Sequence, residues 1–103
     1  MKIYNKLVRD KIPEIIHKNG HSVRFRSLSS AEFSEYLENK LDEEVAEFHK
    51  DKSLEELADI VEVVCALAEV HGHSIFELRR TRLIKFLTKG GFTKRICLEE
   101  VEE

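Results

Sequence analysis

The chain has 103 residues and a formal net charge of −3, from 17 Lys and Arg against 20 Asp and Glu. This length predicts one domain, residues 1–103, which can bury a core unaided but with little to spare, so we expect a homodimer or higher homo-oligomer. The negative net charge argues against a nucleic-acid partner, and no apolar run approaches the roughly 18–20 residues needed to cross a bilayer.

The N-terminal segment predicts a first helix over residues 10–18. Asp10 is a candidate N-cap, and Pro13 then lies in the first turn, where proline is tolerated. Asn19-Gly20 predicts a left-handed helix end. The start of the chain lacks the apolar core of a signal peptide, which predicts a cytoplasmic location.

Two short segments alternate polar and apolar residues with a period of two, at 22–26 and 93–98. This alternation is typical of half-buried strands. We therefore predict a minor β-ribbon that ties the two ends of the chain together. Cys65 and Cys97 lie in apolar segments and are predicted to be small core residues in a reducing compartment.

Three further helices follow from capping signals. Ser29 or Ser30 caps a long helix over 31–50, and Ser53 opens a second helix that ends near residue 70. The short Asp51-Lys52 interval allows only an antiparallel reversal between them. Ser74 to Glu77 form a capping box that opens a last, basic helix. The predicted fold class is mainly α: a small antiparallel helical bundle of about four helices with a minor β-ribbon.

Acidic residues recur at helical spacing on both sides of this reversal. The first long helix carries E-E-x-x-E at Glu43, Glu44 and Glu47, and the next carries E-x-x-D at Glu56 and Asp59. Positions three apart on a helix share a face, with Cβ atoms roughly 5–6 Å apart. At about 100° per residue, Glu44 and Glu56 fall within the apolar arcs of their helices. A carboxylate in an apolar arc is costly unless it is paired or bound to a metal ion.

This pattern has two interpretations. Hard oxygen ligands suit Mg²⁺ or Mn²⁺ far better than Zn²⁺, which favours a divalent cation site. The alternative is a solvated acidic face supported by lysines, with Glu56 serving as the third helical residue of a capping box opened by Ser53.

Two other motifs are weaker. Gly90-Gly91 with its neighbouring cations suits either a phosphate cradle or a turn that ends a helix, and the turn is favoured. His71 and His73, with the two cysteines, lack the spacing of a zinc site.

Three blocks in this order resemble a known family. The blocks are Tyr4-Asn5-Lys6-Leu7-Val8-Arg9-Asp10-Lys11-Ile12-Pro13, the two acidic motifs and Lys89-Gly90-Gly91-Phe92, which lie between positions 4 and 92, so the resemblance extends over almost the whole chain. Together they resemble the all-α nucleoside triphosphate pyrophosphohydrolase superfamily, which includes MazG-like enzymes and phosphoribosyl-ATP pyrophosphohydrolase. Within it, they are most similar to the branch of predicted house-cleaning pyrophosphatases.

The resemblance implies a hydrolase that uses Mg²⁺, or Mn²⁺, to cleave a nucleotide substrate between its α and β phosphates, giving a nucleoside monophosphate and pyrophosphate. It implies that the metal ligands are Glu44, Glu47, Glu56 and Asp59. Glu43 and Glu44 are then the expected catalytic acids, with Glu43 orienting or deprotonating water. The expected phosphate-binding residues are Lys6, Arg9, Lys11, Lys85, Lys89 and Arg95.

Two rival functions remain at this point. One is a phosphoribosyl-ATP pyrophosphohydrolase, which the Asn5–Pro13 block disfavours. The other is a non-catalytic helical interaction module that binds a partner through its apolar and acidic faces. Such a module would bind no divalent cation.

Overall fold

Residues 2–102 are described by a computed structural model, in which helices are the only regular elements of that range. The four helices are α1 Ile12–Lys18, α2 Ser30–Asp51, α3 Leu54–Val70 and α4 Ile75–Lys89. The mainly α class is therefore confirmed. Within the described range, no helix has the length and apolar character needed to span a membrane.

The predicted β-ribbon is wrong, because residues 22–26 and 93–98 form no strand. Phe25 is 70% exposed and Ile96 is 80% exposed, so these apolar side chains lack the packing of a half-buried strand, although Val23 is half-buried. An isolated two-stranded ribbon is marginal in water without such packing. Cys97 is exposed rather than part of a core, whereas Cys65 is half-buried.

Helix α1 begins later than predicted. Its N-cap is Lys11 and not Asp10, which puts Pro13 at the second helical position. The predicted left-handed end is confirmed: Gly20 has φ +86°, and the N–H groups of Gly20 and His21 donate to the carbonyls of His17 and Ile16. This pair of bonds is the Schellman motif, which requires a positive φ that glycine adopts without strain.

Helices α2 and α3 form an antiparallel hairpin. Ser29 caps α2, and its side chain and that of Glu32 make both bonds of a capping box. Lys52 adopts a left-handed conformation at φ 52°, and Ser53 at once caps α3. The two-residue connection makes the last turns of α2 face the first turns of α3. Gly72, with φ +85°, ends α3 as predicted.

The hairpin holds most of the core, and the core is small. Among residues 2–102, Leu37 on α2 and Val63 on α3 are the buried apolar side chains, at 2% and 7% exposure. The radius of gyration is 18.1 Å, whereas a compact domain of this length has about 13 Å. Helix α4 contacts the C-terminal part of α3, and its second half is exposed to solvent.

The start of α2 gives a pH-dependent prediction. The guanidinium of Arg26 donates two hydrogen bonds to Glu32, at 2.8 and 3.2 Å, and these bonds with those at Ser29 lower the pKa of Glu32 from 4.5 to about 2. A carboxyl group with a lowered pKa in the folded state stabilises the fold above its unfolded pKa and loses that effect as pH falls through the folded value. Glu32→Gln should therefore lower Tm at pH 7, and this difference from wild type should shrink as pH falls from 4.5 toward 2.

Thermal melts of both proteins across that pH range measure the difference directly. Glu38→Gln, which neutralises an exposed carboxylate on the same helix, is the matched control and should show little change. A Glu32→Gln deficit that stays constant down to pH 2 would contradict the assignment of the stabilisation to the charged form of Glu32.

Candidate metal centre

The α2–α3 hairpin brings predicted site residues together at its closed end. Glu44 lies two turns after Leu37 on the buried face of α2 and is only 8% exposed. Glu56 and Asp59 lie on the first turns of α3 and are half-buried. The burial of Glu44 agrees with its predicted place in the apolar arc of α2, whereas Glu56 is only half-buried.

Two overlapping groups of carboxylates form there. Oxygen atoms of Glu44, Glu56 and Asp59 all lie within 4.8 Å of one another. A second group with the same spacing joins Glu47, Asp51 and Glu56. Glu56 belongs to both groups and is therefore the shared centre of the cluster.

The carboxylate of Glu56 is not used for helix capping. Three Ser-x-x-Glu sequences open helices in this chain, and at Glu32 and Glu77 the glutamate side chain accepts a hydrogen bond from the N-cap backbone, at 3.1 and 3.2 Å. Among the described residues Glu56 makes no such bond, although its own N–H donates to the Ser53 hydroxyl at 3.2 Å. Its carboxylate faces the other acids instead, so the capping role does not explain its position.

Negative charge is concentrated around Glu56. Loss of contact with water, together with the nearby charges of Asp59 and Glu44, raises the pKa of the Glu56 carboxyl above its usual value. A raised carboxyl pKa means that the ionised form is disfavoured in the fold. A bound cation would reverse this effect, because it favours the charged form.

Lys40 neutralises part of the negative charge of the cluster. Its ammonium Nζ lies 3.2 Å from Oε1 of Glu44 and 3.3 Å from Oε1 of Glu43. Lys6 also pairs with Glu43, at 3.1 Å. Partial burial raises the pKa of Glu43, but the two ammonium groups outweigh burial and hold that pKa below its usual value. Glu43 therefore lies beside the cluster, as predicted, in an ion-paired and ionised form.

Arg9 approaches the cluster from the N-terminal segment. Its Nη2 donates to Oδ1 of Asp59 at 2.7 Å, and this bond raises the pKa of the guanidinium. Lys6 and Arg9 are thus the two predicted phosphate-binding residues that the fold brings to the acids. Within residues 2–102, no hydrogen bond or ion pair joins the acids to the others, Lys11, Lys85, Lys89 and Arg95.

Sequence reasoning missed two members of the site. Asp51 follows Glu47 by four residues, so it shares that face because α2 continues to residue 51. Lys40 precedes Glu44 by four residues, and the same rule pairs them. Helical spacing predicts both positions. Asp51 was missed because the predicted helix ended at residue 50, and Lys40 because the acidic motif contains carboxylates alone.

The chemistry of the donors fits a hard divalent cation. All the clustered side chains offer carboxylate oxygens, and no His or Cys of the described residues joins them. Oxygen donors of this kind hold Mg²⁺ or Mn²⁺.

Gly90 ends α4 with φ +83°, and its N–H donates to the Phe86 carbonyl at 2.8 Å, which agrees with a helix-ending turn.

Comparison with known proteins adds one partial relative. A protein of Mycolicibacterium smegmatis, described as an uncharacterized protein, is 46% identical over 54 residues, which are 48% of this chain. The match spans 55% of that relative's length. No family model matches the chain. No solved structure matches it either.

Because Glu56 belongs to both carboxylate groups, removing its charge should change Tm in opposite directions without and with a divalent cation. Without divalent cations, Glu56→Gln should raise Tm, because it removes repulsion from Asp59 and Glu44. With saturating Mg²⁺ the order should reverse, since the wild-type cluster gains stability by binding the ion and the variant has lost a ligand. Thermal melts with EDTA and with Mg²⁺ measure both effects.

Glu55→Gln is the matched control, because Glu55 is the exposed neighbour of Glu56 in the same first turn. Its Tm should respond to Mg²⁺ as the wild type does. Equal Mg²⁺ responses of wild type and Glu56→Gln would count against a cation at this cluster.

Proposed function

We propose that this chain is a nucleotide pyrophosphohydrolase that requires Mg²⁺ or Mn²⁺ and cleaves a nucleoside triphosphate between its α and β phosphates. The observation that carries the proposal is the approach of the Glu44, Glu56 and Asp59 carboxylates to within 4.8 Å of one another. The resemblance of the three sequence blocks supports the same activity. A nucleotide substrate also agrees with a cytoplasmic location.

The acids have separable roles in this proposal. Glu44, Glu56 and Asp59 hold the cation, and Glu47 contributes from the overlapping group. A bound divalent cation supplies charge neutralisation at the phosphates and lowers the pKa of bound water. Glu43, which is kept ionised by Lys6 and Lys40, accepts a hydrogen bond from water and orients it for attack on the phosphorus.

The cations of the site bind the phosphates. Arg9 already donates to Asp59 at 2.7 Å, so its remaining guanidinium N–H groups can donate to a phosphate oxygen beside that carboxylate. Lys6 is held near Glu43 in the same way. These contacts stabilise the negative charge that develops on the pyrophosphate leaving group.

Pyrophosphate release tests the proposal directly. Wild-type protein with Mg²⁺ should release pyrophosphate from at least one member of a panel of standard and modified nucleoside triphosphates and phosphoribosyl-ATP. Glu44→Gln should lower kcat by roughly a hundredfold or more, because it removes a ligand of the divalent cation, and that cation stabilises the transition state. Glu55→Gln should retain wild-type activity.

The panel also separates the rival functions. Release confined to phosphoribosyl-ATP would replace the nucleoside triphosphate substrate with that compound. If no substrate is hydrolysed with either Mg²⁺ or Mn²⁺ by a protein that is folded, the pyrophosphohydrolase proposal is wrong and the interaction module is favoured.

We also propose that the chain forms a homodimer through α4. The exposed apolar side chains of this helix include Leu83, Ile84 and Leu87, at 53%, 47% and 72% exposure. A single apolar residue on a surface is ordinary, but several on one helix indicate an interface. The same helix is rich in arginine and lysine, so a second copy's acidic hairpin offers it an oppositely charged surface.

The dimer predicts a defined sedimentation result. Wild-type protein should sediment at twice the 12.0 kDa mass of the chain. Leu87→Glu should shift it to monomer, because a charge would be buried in the interface. Arg24→Glu, at an exposed site outside the helices, should remain dimeric. A wild type that sediments as a monomer across the micromolar range would refute the dimer.

A further inference from the structure

A small cleft lies beside the acidic cluster, and Lys40 and Glu43 contribute to its wall. It has a volume of about 220 Å³ and is formed between the N-terminal segment and one face of α2. The lining residues are Asn5, Lys6, Leu7, Glu35, Tyr36, Asn39, Lys40 and Glu43. Neither the caps nor the proposed chemistry of the acids explains this combination of side chains.

The cleft is continuous with the candidate metal centre. Lys40 lines the cleft, and its ammonium contacts Glu44 of the cluster at 3.2 Å. Glu43 and Lys6 also line it and pair with each other at 3.1 Å. A molecule in the cleft would therefore extend past this pair of charges to reach the carboxylates.

Three of the four charged side chains of the cleft wall, Lys6, Lys40 and Glu43, are paired with one another. Within residues 2–102, no side-chain hydrogen bond involves its neutral polar residues, Asn5, Tyr36 and Asn39. Asn5 and Asn39 each carry a planar amide with two donors and one acceptor oxygen, which matches the edge of a nucleobase. Tyr36 adds an aromatic face on which a base can stack. These three side chains together suit a flat, polar, neutral ring.

The backbone at Asn5 supports a binding role. Its φ is +45°, a left-handed conformation that a residue with a side chain adopts at a cost. Asn and Asp are the residues that tolerate this conformation best. Asn5 in this conformation lines the cleft together with the next residue, Lys6.

Taking these observations together, we propose that the cleft binds the base of the nucleotide substrate, with Asn39 and Asn5 reading its polar edge and Tyr36 stacking on its face. This inference rests on the proposed function, which supplies the nucleotide. The volume is smaller than the roughly 300–1,000 Å³ of sites that enclose a drug-sized ligand. It suits a base alone, with the sugar and phosphates extending past Lys40 to the acids.

Binding can be tested separately from hydrolysis. The full chain labelled with ¹⁵N is titrated, with Mg²⁺ present, with each of the four standard nucleoside 5′-monophosphates and, separately, with inorganic pyrophosphate. At least one monophosphate should shift the side-chain amide signals of Asn39 and Asn5, whereas pyrophosphate, which is proposed to contact Lys6 beside Asn5, should leave the signal of Asn39 unshifted. Asn39→Ala should weaken that monophosphate about fivefold to tenfold, the effect of one lost hydrogen bond.

Glu38→Ala is the control, because Glu38 is the exposed neighbour of Asn39 and does not line the cleft. It should bind the monophosphate as the wild type does. Asn39 is itself exposed, so its replacement by alanine leaves the fold intact.

The failures of the two proposals are distinguishable. A wild type that hydrolyses a nucleotide, together with an Asn39→Ala variant of unchanged KM and unchanged monophosphate affinity, overturns the base cleft and leaves the pyrophosphohydrolase standing. Monophosphate-dependent shifts at Asn39 in a protein that hydrolyses nothing support the cleft and remove the proposed activity. Shifts at Asn39 that are equally large with pyrophosphate overturn the cleft, because the base would then contribute nothing there.

Discussion

Repulsion among carboxylates at the closed end of the α2–α3 hairpin is the constraint on which the site depends. Glu44 is a buried glutamate on the face of α2 that packs against α3, and carboxylate oxygens of Glu56 and Asp59 lie within 4.8 Å of its own. A buried charge is tolerated only when it is paired or bound to a metal ion. Lys40 supplies one positive charge to Glu44, and Arg9 supplies one to Asp59. Glu56 has no comparable partner among the described residues, which makes it the point where a cation would relieve most repulsion.

The geometry of the cluster follows from the turn. Lys52 reverses the chain in a left-handed conformation and Ser53 immediately starts α3, so the register of the two helices is set by local rules. That register brings the last two turns of α2 against the first turns of α3. Because both stretches carry acids at a spacing of three or four residues, the carboxylates meet without any distant contact. The carboxylate cluster therefore results from the helical spacing of the acids and from the two-residue connection between α2 and α3.

This explains which features could be predicted from the sequence. Helix ends at Gly20 and Gly72, the caps at Ser29, Ser53 and Ser74, and the inward direction of Glu44 depend on neighbours within a few residues. The β-ribbon required residues 22–26 to pair with 93–98, and the alternation of polar and apolar residues contains no information about whether such a pairing forms. Arg9 was expected near the substrate, but its bond to Asp59 spans 50 positions and no local pattern encodes it.

The small core connects the site with assembly. Leu37 and Val63 are the buried apolar side chains of the described residues, so the hairpin that positions the acids has little packing to hold it against their repulsion. A divalent cation bound to the acids and a second copy covering the apolar side chains of α4 would each stabilise the folded hairpin relative to its open forms. Two ligands that favour the same state of a protein necessarily strengthen each other's binding, since linkage is reciprocal. If the proposed cation and the proposed dimer both form, metal affinity and dimer affinity are therefore coupled, even though α4 contributes no ligand to the acidic cluster.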